Sequence, residues 1–480
     1  MLKFKTKPWS HQLKALRYLY KRDTAALYTD MGTGKTKVMV DLIYNRGFKR
    51  VLVVGTAKSC DVWEEQIEIH GFKSKMECLN LKGIGMEKRI DLLKKFMQDK
   101  RIDKSEKIKI VLINYESVWR PPLDRYLLRK TVGFDCIICD ESHRIKSPAS
   151  KCSKYLTKIG KTVKCRYLVT GTPLAESPMD IYAQYRFLDS SIFGTNFGAF
   201  KNRYQNVDVN RTAAVGYTVL DRKQPYKNLD ELREKMFSCA FYIESSIELP
   251  EQTFLEYNFT LPEKVQALYE EIKEEGVVEL NGKYVETDNV LSMLLKLQQI
   301  TSGYLPIDPK QQDPEHKNTK VKVINIHKER VEALKDLIET LPEGEPLVVF
   351  ANYKKDLKNI QKLCSELGLG YSEVSGRCDT LKEWKSGKTQ VIGVQYSSGS
   401  ESIDLTRARY CVYYSLTRKL GLYVQSLKRI HRPNQTRPVV YYHFIAKAGK
   451  KGTIDKIMYN ALRAKKDVVD YIMERRNLDD

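Results

Sequence analysis

Short apolar runs alternate with amphipathic stretches through the first 170 or so residues of this chain. Ala25-Ala-Leu-Tyr28, Val51-Leu-Val-Val54, Ile110-Val-Leu-Ile113, Cys136-Ile-Ile-Cys139 and Tyr167-Leu-Val169 are each continuously apolar rather than alternating. A continuous run of that length marks a strand buried on both faces, as in a parallel sheet covered by helices. Helical patterns separate most of the runs, Lys37 to Tyr44 being the first. The pattern predicts an α/β fold with a parallel sheet. From about 190 to 305 the strand signals thin out, and helical ones appear at 229–238, 262–275 and 288–300. Asp308 to Lys322 is polar, carries two prolines and reads as a loop or linker. Strand–helix alternation resumes with Leu347-Val-Val-Phe350, Val391-Ile-Gly-Val394 and Tyr410-Cys-Val-Tyr-Tyr414, a second α/β lobe. Residues 453–475 are amphipathic, with Ile454, Ile457, Met458, Ala461 and Leu462 on one face, and could brace either lobe. The expected division is 1–250 and 251–480, with helical insertions from about 190 in the first lobe and over 262–305 in the second.

Composition narrows the function. At 480 residues and 42% apolar content the chain can fill two or three cores. The net charge of +22 favours a polyanionic partner, nucleic acid foremost, against the plainer reading of a solubility surplus. The opening MLKFKTKPWSHQ lacks the apolar stretch of a secretory signal. No run of about 18 apolar residues is present to span a membrane. The ten cysteines are scattered and mostly set among apolar residues, as expected of reduced cytoplasmic thiols. The one CxxC, Cys136 to Cys139, lies on a strand-like run that would point its thiols to opposite faces, and no second CxxC completes a zinc site.

Three clusters carry chemistry. Gly32-Thr33-Gly34-Lys35-Thr36 follows a strand and opens a helix, the context in which backbone N–H groups cradle phosphates. Lys35 would contact the β- and γ-phosphates, and Thr36 would ligate Mg²⁺. Thr29 stands where the full GxxxxGK[ST] pattern has its first glycine. Asp140-Glu141-Ser142-His143 follows the strand ending at Cys139, and ligands bind at the carboxyl ends of strands in open α/β sheets. Asp140 would hold the Mg²⁺ shell, and Glu141 would orient or deprotonate the attacking water. Near the other end, Gln425-Ser-Leu-Lys-Arg429-Ile-His431-Arg432-Pro-Asn-Gln435 sets two arginines i, i+3 apart, a spacing that shares a helix face and lets both reach the same phosphates. His143 is expected to bridge its loop to the next one rather than to act as an acid or base.

In order and over nearly the whole chain, these segments resemble the SNF2 branch of the superfamily 2 helicase-like ATPases. Trp9-Ser-His-Gln12 is similar to the family's glutamine motif, which implies that Gln12 reads adenine. Asp30 to Thr36 resembles motif I, Val51 to Trp63 motif Ia, and Ile113-Asn-Tyr-Glu116 motif Ic, which implies DNA-backbone contacts for Thr56, Lys58, Asn114 and Tyr115. Asp140-Glu-Ser-His-Arg-Ile-Lys146 is close to the family's DEAH-R-I-K form, with Ser142 replacing alanine. Thr170-Gly-Thr-Pro-Leu174 looks like motif III, Val348 to Tyr353 like motif IV, and Ser397 to Leu405 like motif V. They add Thr170, Asn352, Tyr353 and Ser398 as nucleic-acid candidates, and Gly399 beside the nucleotide. Gln425 to Gln435 resembles motif VI, with Arg429 and Arg432 as arginine fingers, and Leu294 to Ile300 the helical insertion of the branch.

The resemblance implies two RecA-like lobes with ATP and Mg²⁺ between them. It also implies sequence-independent contacts to double-stranded DNA and a monomeric, DNA-stimulated translocase, compact as in phages and bacteria and located in the cytoplasm of a bacterial or phage-infected cell. A strand-separating DNA or RNA helicase, and an ATP-switched DNA-binding subunit acting through a protein partner, are the rival readings. Two further segments depart from the family. Gly399-Ser-Glu401 stands where consecutive glycines are frequent, and Arg418-Lys419-Leu420 where Trp-Asn-Pro precedes motif VI.

Overall fold

A computed structural model describes residues 2–30, 32–98, 107–129, 132–210, 212, 220–221, 223–243, 249–280, 283–286, 290–307, 322–399, 403–449 and 451–473. The chain forms two compact units, Met1–Ile247 with Val468–Asp480, and Glu248–Asp467.

The first unit is built on seven parallel strands: β1 Thr24–Thr29, β2 Arg50–Gly55, β3 Met76–Asn80, β4 Ile108–Asn114, β5 Cys136–Asp140, β6 Cys165–Thr170 and β7 Ala240–Ile243. Their order is β3-β4-β2-β5-β6-β1-β7. The continuous apolar runs have a direct cause here. Val51 and Val53 of β2 face one core, with Leu16, Met39, Ile43 and Trp63 from helices α1 (Ser10–Tyr20), α2 (Lys35–Arg46) and α3 (Ala57–His70). Leu52 and Val54 face a second core, with Leu156, Ile159, Ile181 and Tyr185 from helices Lys151–Gly160 and Ile181–Leu188. Both faces are covered, so neither can be polar. Cys136 and Cys139 fall into opposite cores, and burial raises both thiols above their usual range.

The second unit repeats the theme. Its main sheet holds β8 Gln252–Thr260, β13 Leu347–Ala351, β14 Tyr371–Val374, β15 Val391–Gln395, β16 Tyr410–Tyr413, β17 Val439–Ala448 and β18 Lys451–Gly452. The order is β14-β15-β13-β16-β17-β18, with β8 pairing β17 in parallel along its full length. Two small antiparallel pairs lie outside it: β9 Val277–Leu280 with β10 Lys283–Glu286, and β11 Tyr304–Ile307 with β12 Lys322–Asn325. Helix Glu263–Glu275 precedes the first pair and helix Val290–Thr301 runs between the two, close to the helical stretches expected from sequence. The last helix, Ile454–Met473, begins in the second unit, and its residues from Val468 belong to the first.

The stretch from about 190 to 305 contains five strands that the apolar pattern does not announce, β7 to β11. They are short, or lie at a sheet edge, or pair only locally. β8 is the longest of them and leaves Phe254 38% and Leu255 42% exposed, so it never forms a continuous buried run. Strand preference of this kind reflects a fit to a half-buried surface more than a backbone signal. Of the expected linker, 308–321 lie outside the described residues, and Lys322 opens β12. No described helix is long and apolar enough to cross a membrane.

Candidate active site

The phosphate loop closes β1 and opens α2. Gly32 and Gly34 have φ of +83° and +79°, a region that favours glycine. A Cβ on Gly34 would also meet Gln12 Nε2 at 2.3 Å. Gln12 is 3% exposed and both ends of its amide are engaged. Its Nε2 donates to Thr33 O at 3.0 Å, and its Oε1 accepts from Trp9 N at 3.0 Å. The expected reader of adenine therefore braces the loop, with one amide hydrogen and one lone pair of Oε1 left for a base. Thr29 also has a role in place of the missing glycine: its hydroxyl lies 3.0 Å from that of Thr33, which donates to Asp30 O at 2.7 Å. Lys35 Nζ donates to Thr29 O and Asp30 O at 2.9 Å each. Its ammonium is thus aimed along the loop, at the positive end of α2 where anions bind.

The acid pair lies at the end of β5. Trp63 Nε1 donates to Asp140 Oδ2 at 3.0 Å, and Tyr115 OH donates to the Asp140 carbonyl at 2.7 Å. Glu141 adopts φ +51°, uncommon for a residue with a side chain. Its Oε2 accepts from Thr170 Oγ1 at 3.2 Å and lies 3.3 Å from His143 Nδ1. The same His143 nitrogen is 3.1 Å from Thr170 Oγ1 and 3.4 Å from Thr172 Oγ1, so His143 bridges its own loop to Thr170–Leu174 as expected.

The two carboxyls are driven apart. Burial, aided by the charge of Glu141, pushes Asp140 up to about 6, against the pull of Trp63 and Lys35. Burial acts on Glu141 too, but His143, Lys35 and Thr170 outweigh it and bring it down to about 2. Adjacent groups with separated protonation are a signature of acid–base work. Asp140 Oδ1 and the Thr36 hydroxyl are hard oxygen donors. No cluster of three or more His, Cys, Asp or Glu able to hold a metal occurs among the described residues. Mg²⁺ bound by one or two protein oxygens, with water and substrate phosphates completing its shell, fits such a donor set.

In the second unit, Arg429 is 4% exposed in the last turn of helix Leu420–Ile430, and its carbonyl accepts from Leu405 N at 3.0 Å. Arg432 does not share that helix face, contrary to the i, i+3 expectation. The helix ends at Ile430, and His431 leaves it with φ −92° and ψ 93°. Pro433 disfavours a helical conformation for the residue before it. Arg432 occupies the following turn, half-buried, with Nη1 3.4 Å from Ile403 O. Gln435 Nε2 ties this turn to Ala408 O at 2.8 Å and Thr406 O at 3.1 Å. Gly399 ends the short helix Tyr396–Gly399, while residues 400–402, with most of the Gly399-Ser-Glu401 departure, lie outside the described residues. In the other departure, Leu420 is buried and starts the arginine-bearing helix.

The eight nucleic-acid candidates separate by burial. Lys58 is exposed on the first turn of α3. Asn114, Asn352, Tyr353 and Ser398 are half-buried. Asn114 donates to Glu116 Oε2 at 2.8 Å, and Tyr353 OH donates to Gln298 Oε1 at 2.7 Å. Three are buried by their surroundings. Tyr115 is 5% exposed inside the core, holding Asp140, and has no free ring face. Thr170 is fully buried against Glu141 and His143. Thr56 is buried as the N-cap of α3, accepting from Ser59 N at 3.1 Å. Lys146, at the end of the acid segment, forms ion pairs with Glu176 at 3.5 Å and Asp180 at 3.9 Å.

Two partners of the acid loop escape a reading of the sequence alone. Trp63 is one. The other is Gln184, whose Oε1 accepts from Ser142 Oγ at 2.7 Å and whose Nε2 donates to Pro173 O at 2.7 Å and Asp180 O at 2.9 Å. Both Ser142 and Gln184 are fully buried. The serine that replaces alanine thus ties the acid loop to Thr170–Leu174. A glutamine amid the apolar IYAQYRFL helix was the available signal.

Comparison with known proteins places these features. The family described as SNF2-related domain matches residues 11–303, and the helicase conserved C-terminal domain matches 329–434. Protein p41 of Acyrthosiphon pisum secondary endosymbiont phage 1 is 24% identical over 76% of this chain and 77% of its own length. The DNA repair and recombination protein RAD54B of Homo sapiens is 22% identical over 97% of this chain, which spans 54% of that protein. Among solved structures, the Sulfolobus solfataricus SWI2/SNF2 ATPase core in complex with dsDNA aligns over 98% of this chain and 95% of its own, with 19% identity and a TM-score of 0.41.

Proposed function

The chain belongs to the SNF2-related family, and from that membership we propose that it is an ATPase stimulated by double-stranded DNA that moves along the duplex. The observation that carries the chemistry is the acid loop: Glu141 held ionised by His143, Thr170 and Lys35, beside a buried Asp140 oriented by Trp63. In this reading Gly32, Thr33, Gly34 and Lys35 bind the phosphates of ATP. Thr36 and Asp140 would hold Mg²⁺, which when bound neutralises developing phosphate charge. Glu141 orients the attacking water and takes its proton, the step for which a carboxylate that stays ionised at neutral pH is suited. Arg429 and Arg432 stabilise charge on the γ-phosphate, with Gly399 near the nucleotide. His143 and Gln184 hold the acid loop to Thr170–Leu174, so a displacement of one loop is felt by the other.

The net charge of +22 and the exposed or half-buried Lys58, Asn114, Asn352, Tyr353 and Ser398 support contacts to the phosphate backbone without base reading. The test is ATP turnover with no nucleic acid, single-stranded DNA, duplex DNA, forked DNA and RNA, alongside triplex displacement. Duplex DNA should stimulate most, and a triplex-forming strand should be displaced in an ATP-dependent way. Stimulation by single strands alone, with unwinding of the fork, would replace translocation with strand separation.

A further inference from the structure

Arg89 lies in the first turns of α4 (Met86–Gln98) and is 8% exposed. Its Nε has no hydrogen-bond partner, and among the described residues no carboxylate pairs with its guanidinium. Burial, and after it the charge of a second cation, Arg120, lower its affinity for its proton. Arg120 Cζ lies 5.8 Å from the ring centroid of Trp119, and Lys151 Nζ lies 5.4 Å from the same centroid. Trp119 packs on the same core as Met86, Ile90 and Cys152, so Arg120 and Lys151 flank one anchored indole, and Arg89 lies within electrostatic reach of Arg120. Arg120 and Lys151 are exposed and, like Arg89, form no ion pair among the described residues. Lys151 is also the first residue of helix Lys151–Gly160, whose dipole adds positive potential there. Arg89, Arg120 and Lys151 follow the carboxyl ends of β3, β4 and β5, the edge at which open α/β sheets bind ligands.

A buried guanidinium beside a second cation and without a counter-ion is costly unless an anion joins it. Arginine forks match phosphate geometry, and Lys151 supplies a third cation. We propose that Arg120 and Lys151, flanking Trp119, form together with the neighbouring Arg89 a phosphate site that takes the backbone of bound DNA. None of the three residues belongs to a motif segment. It rests on the DNA reading for the source of the phosphate, though not for the anion chemistry.

Duplex binding is measured by fluorescence anisotropy over a salt series, with the full chain, Arg120→Ala/Lys151→Ala, and Arg89→Met. The double variant should keep its melting temperature and lose about one to two units of the slope of log K against log salt, near 0.9 per phosphate contact. Arg89→Met should bind duplex at least about fivefold more weakly, yet melt higher than the parent without ligand, because an unpaired buried charge is gone. An arginine that only fills space would lose stability on that change and leave the slope alone. That result, or an unchanged slope in the double variant, overturns the proposal. Inorganic phosphate is titrated in parallel, read by melting temperature. Protection of the parent but not the double variant, with an unchanged duplex slope, would assign a free anion and overturn the DNA-backbone source. If the parent binds no duplex, the DNA reading itself fails. The phosphate titration then decides alone: protection lost in the double variant supports the anion site, and no protection removes it.

Discussion

Two buried aspartates, one in each unit, are pushed up to about 6 by the same cause, yet their surroundings differ in what they allow. Asp356, fully buried near the start of helix Lys354–Glu366, accepts from Ser415 Oγ at 2.5 Å and is enclosed by Tyr304 and Arg330. Arg330 is itself committed, ion-paired to Asp455 and donating to Thr301 O at 2.9 Å. Asp140 has Glu141 beside it, Lys35 pulling on it, and one carboxyl oxygen held by Trp63. Displaced protonation therefore reports burial in both places. Chemistry needs the second carboxyl, the lysine and the glycine loop that only Asp140 has.

The strongest way to break this comparison is to disable each surrounding in turn. Glu141→Gln or Lys35→Ala should lower steady-state ATP turnover about a thousandfold, in the range of a lost general base or phosphate contact, with duplex binding kept. Asp356→Asn should leave turnover within about twofold. An equal loss in Asp356→Asn would show that Asp356 serves the reaction as well.

The next largest effect is on stability. The folded state raises Asp356 above the carboxylate's ordinary 3.8, so its stabilising contribution is full below about pH 4 and is lost as pH rises through about 6. The gap of roughly two pK units corresponds to about 3 kcal/mol. Urea unfolding from pH 4 to 7 should show the parent losing about that much relative to Asp356→Asn. Parallel curves would remove the burial argument.

A smaller effect concerns the loop tie. Ser142→Ala strands the Gln184 amide oxygen in the core and should destabilise by about 1–3 kcal/mol in thermal or urea melts. Ser142→Ala/Gln184→Leu should recover most of it, since two apolar partners leave fewer polar groups unpaired. The least effect is expected at Trp63. Trp63→Phe keeps the packing and frees Asp140 Oδ2, so about tenfold more Mg²⁺ should be needed for half-maximal turnover, while nucleotide affinity in EDTA stays unchanged. Loss of nucleotide affinity without metal would make Trp63 a packing residue only.

Much of the fold was legible because local physics and burial agree. Apolar runs such as Val51–Val54 read as strands since both sheet faces are covered, and Gly32 and Gly34 were legible because their backbone leaves the region open to other residues. Where local signals were weak the reading fell short. β8 is an edge strand recognised by its pairing with β17, not by its apolarity. At Arg432 the i, i+3 spacing gives no shared face, because the helix ends at Ile430, ahead of Pro433. Tyr115 and Thr170 are buried although they lie in motif segments, since a motif says which residues matter, not which way they point.

The sequence by itself determined the two α/β units, the phosphate loop, the acid pair and the identity of both arginines. Each of these is written in adjacent residues, in spacing or in backbone preference. Only the tertiary structure decided that Trp63 orients Asp140 across 77 positions, that Ser142 answers Gln184 across 42, and that Arg89 is buried without a counter-ion. Those outcomes depend on which side chains the sheet order brings together, and contacts between distant segments leave no periodic trace along the chain.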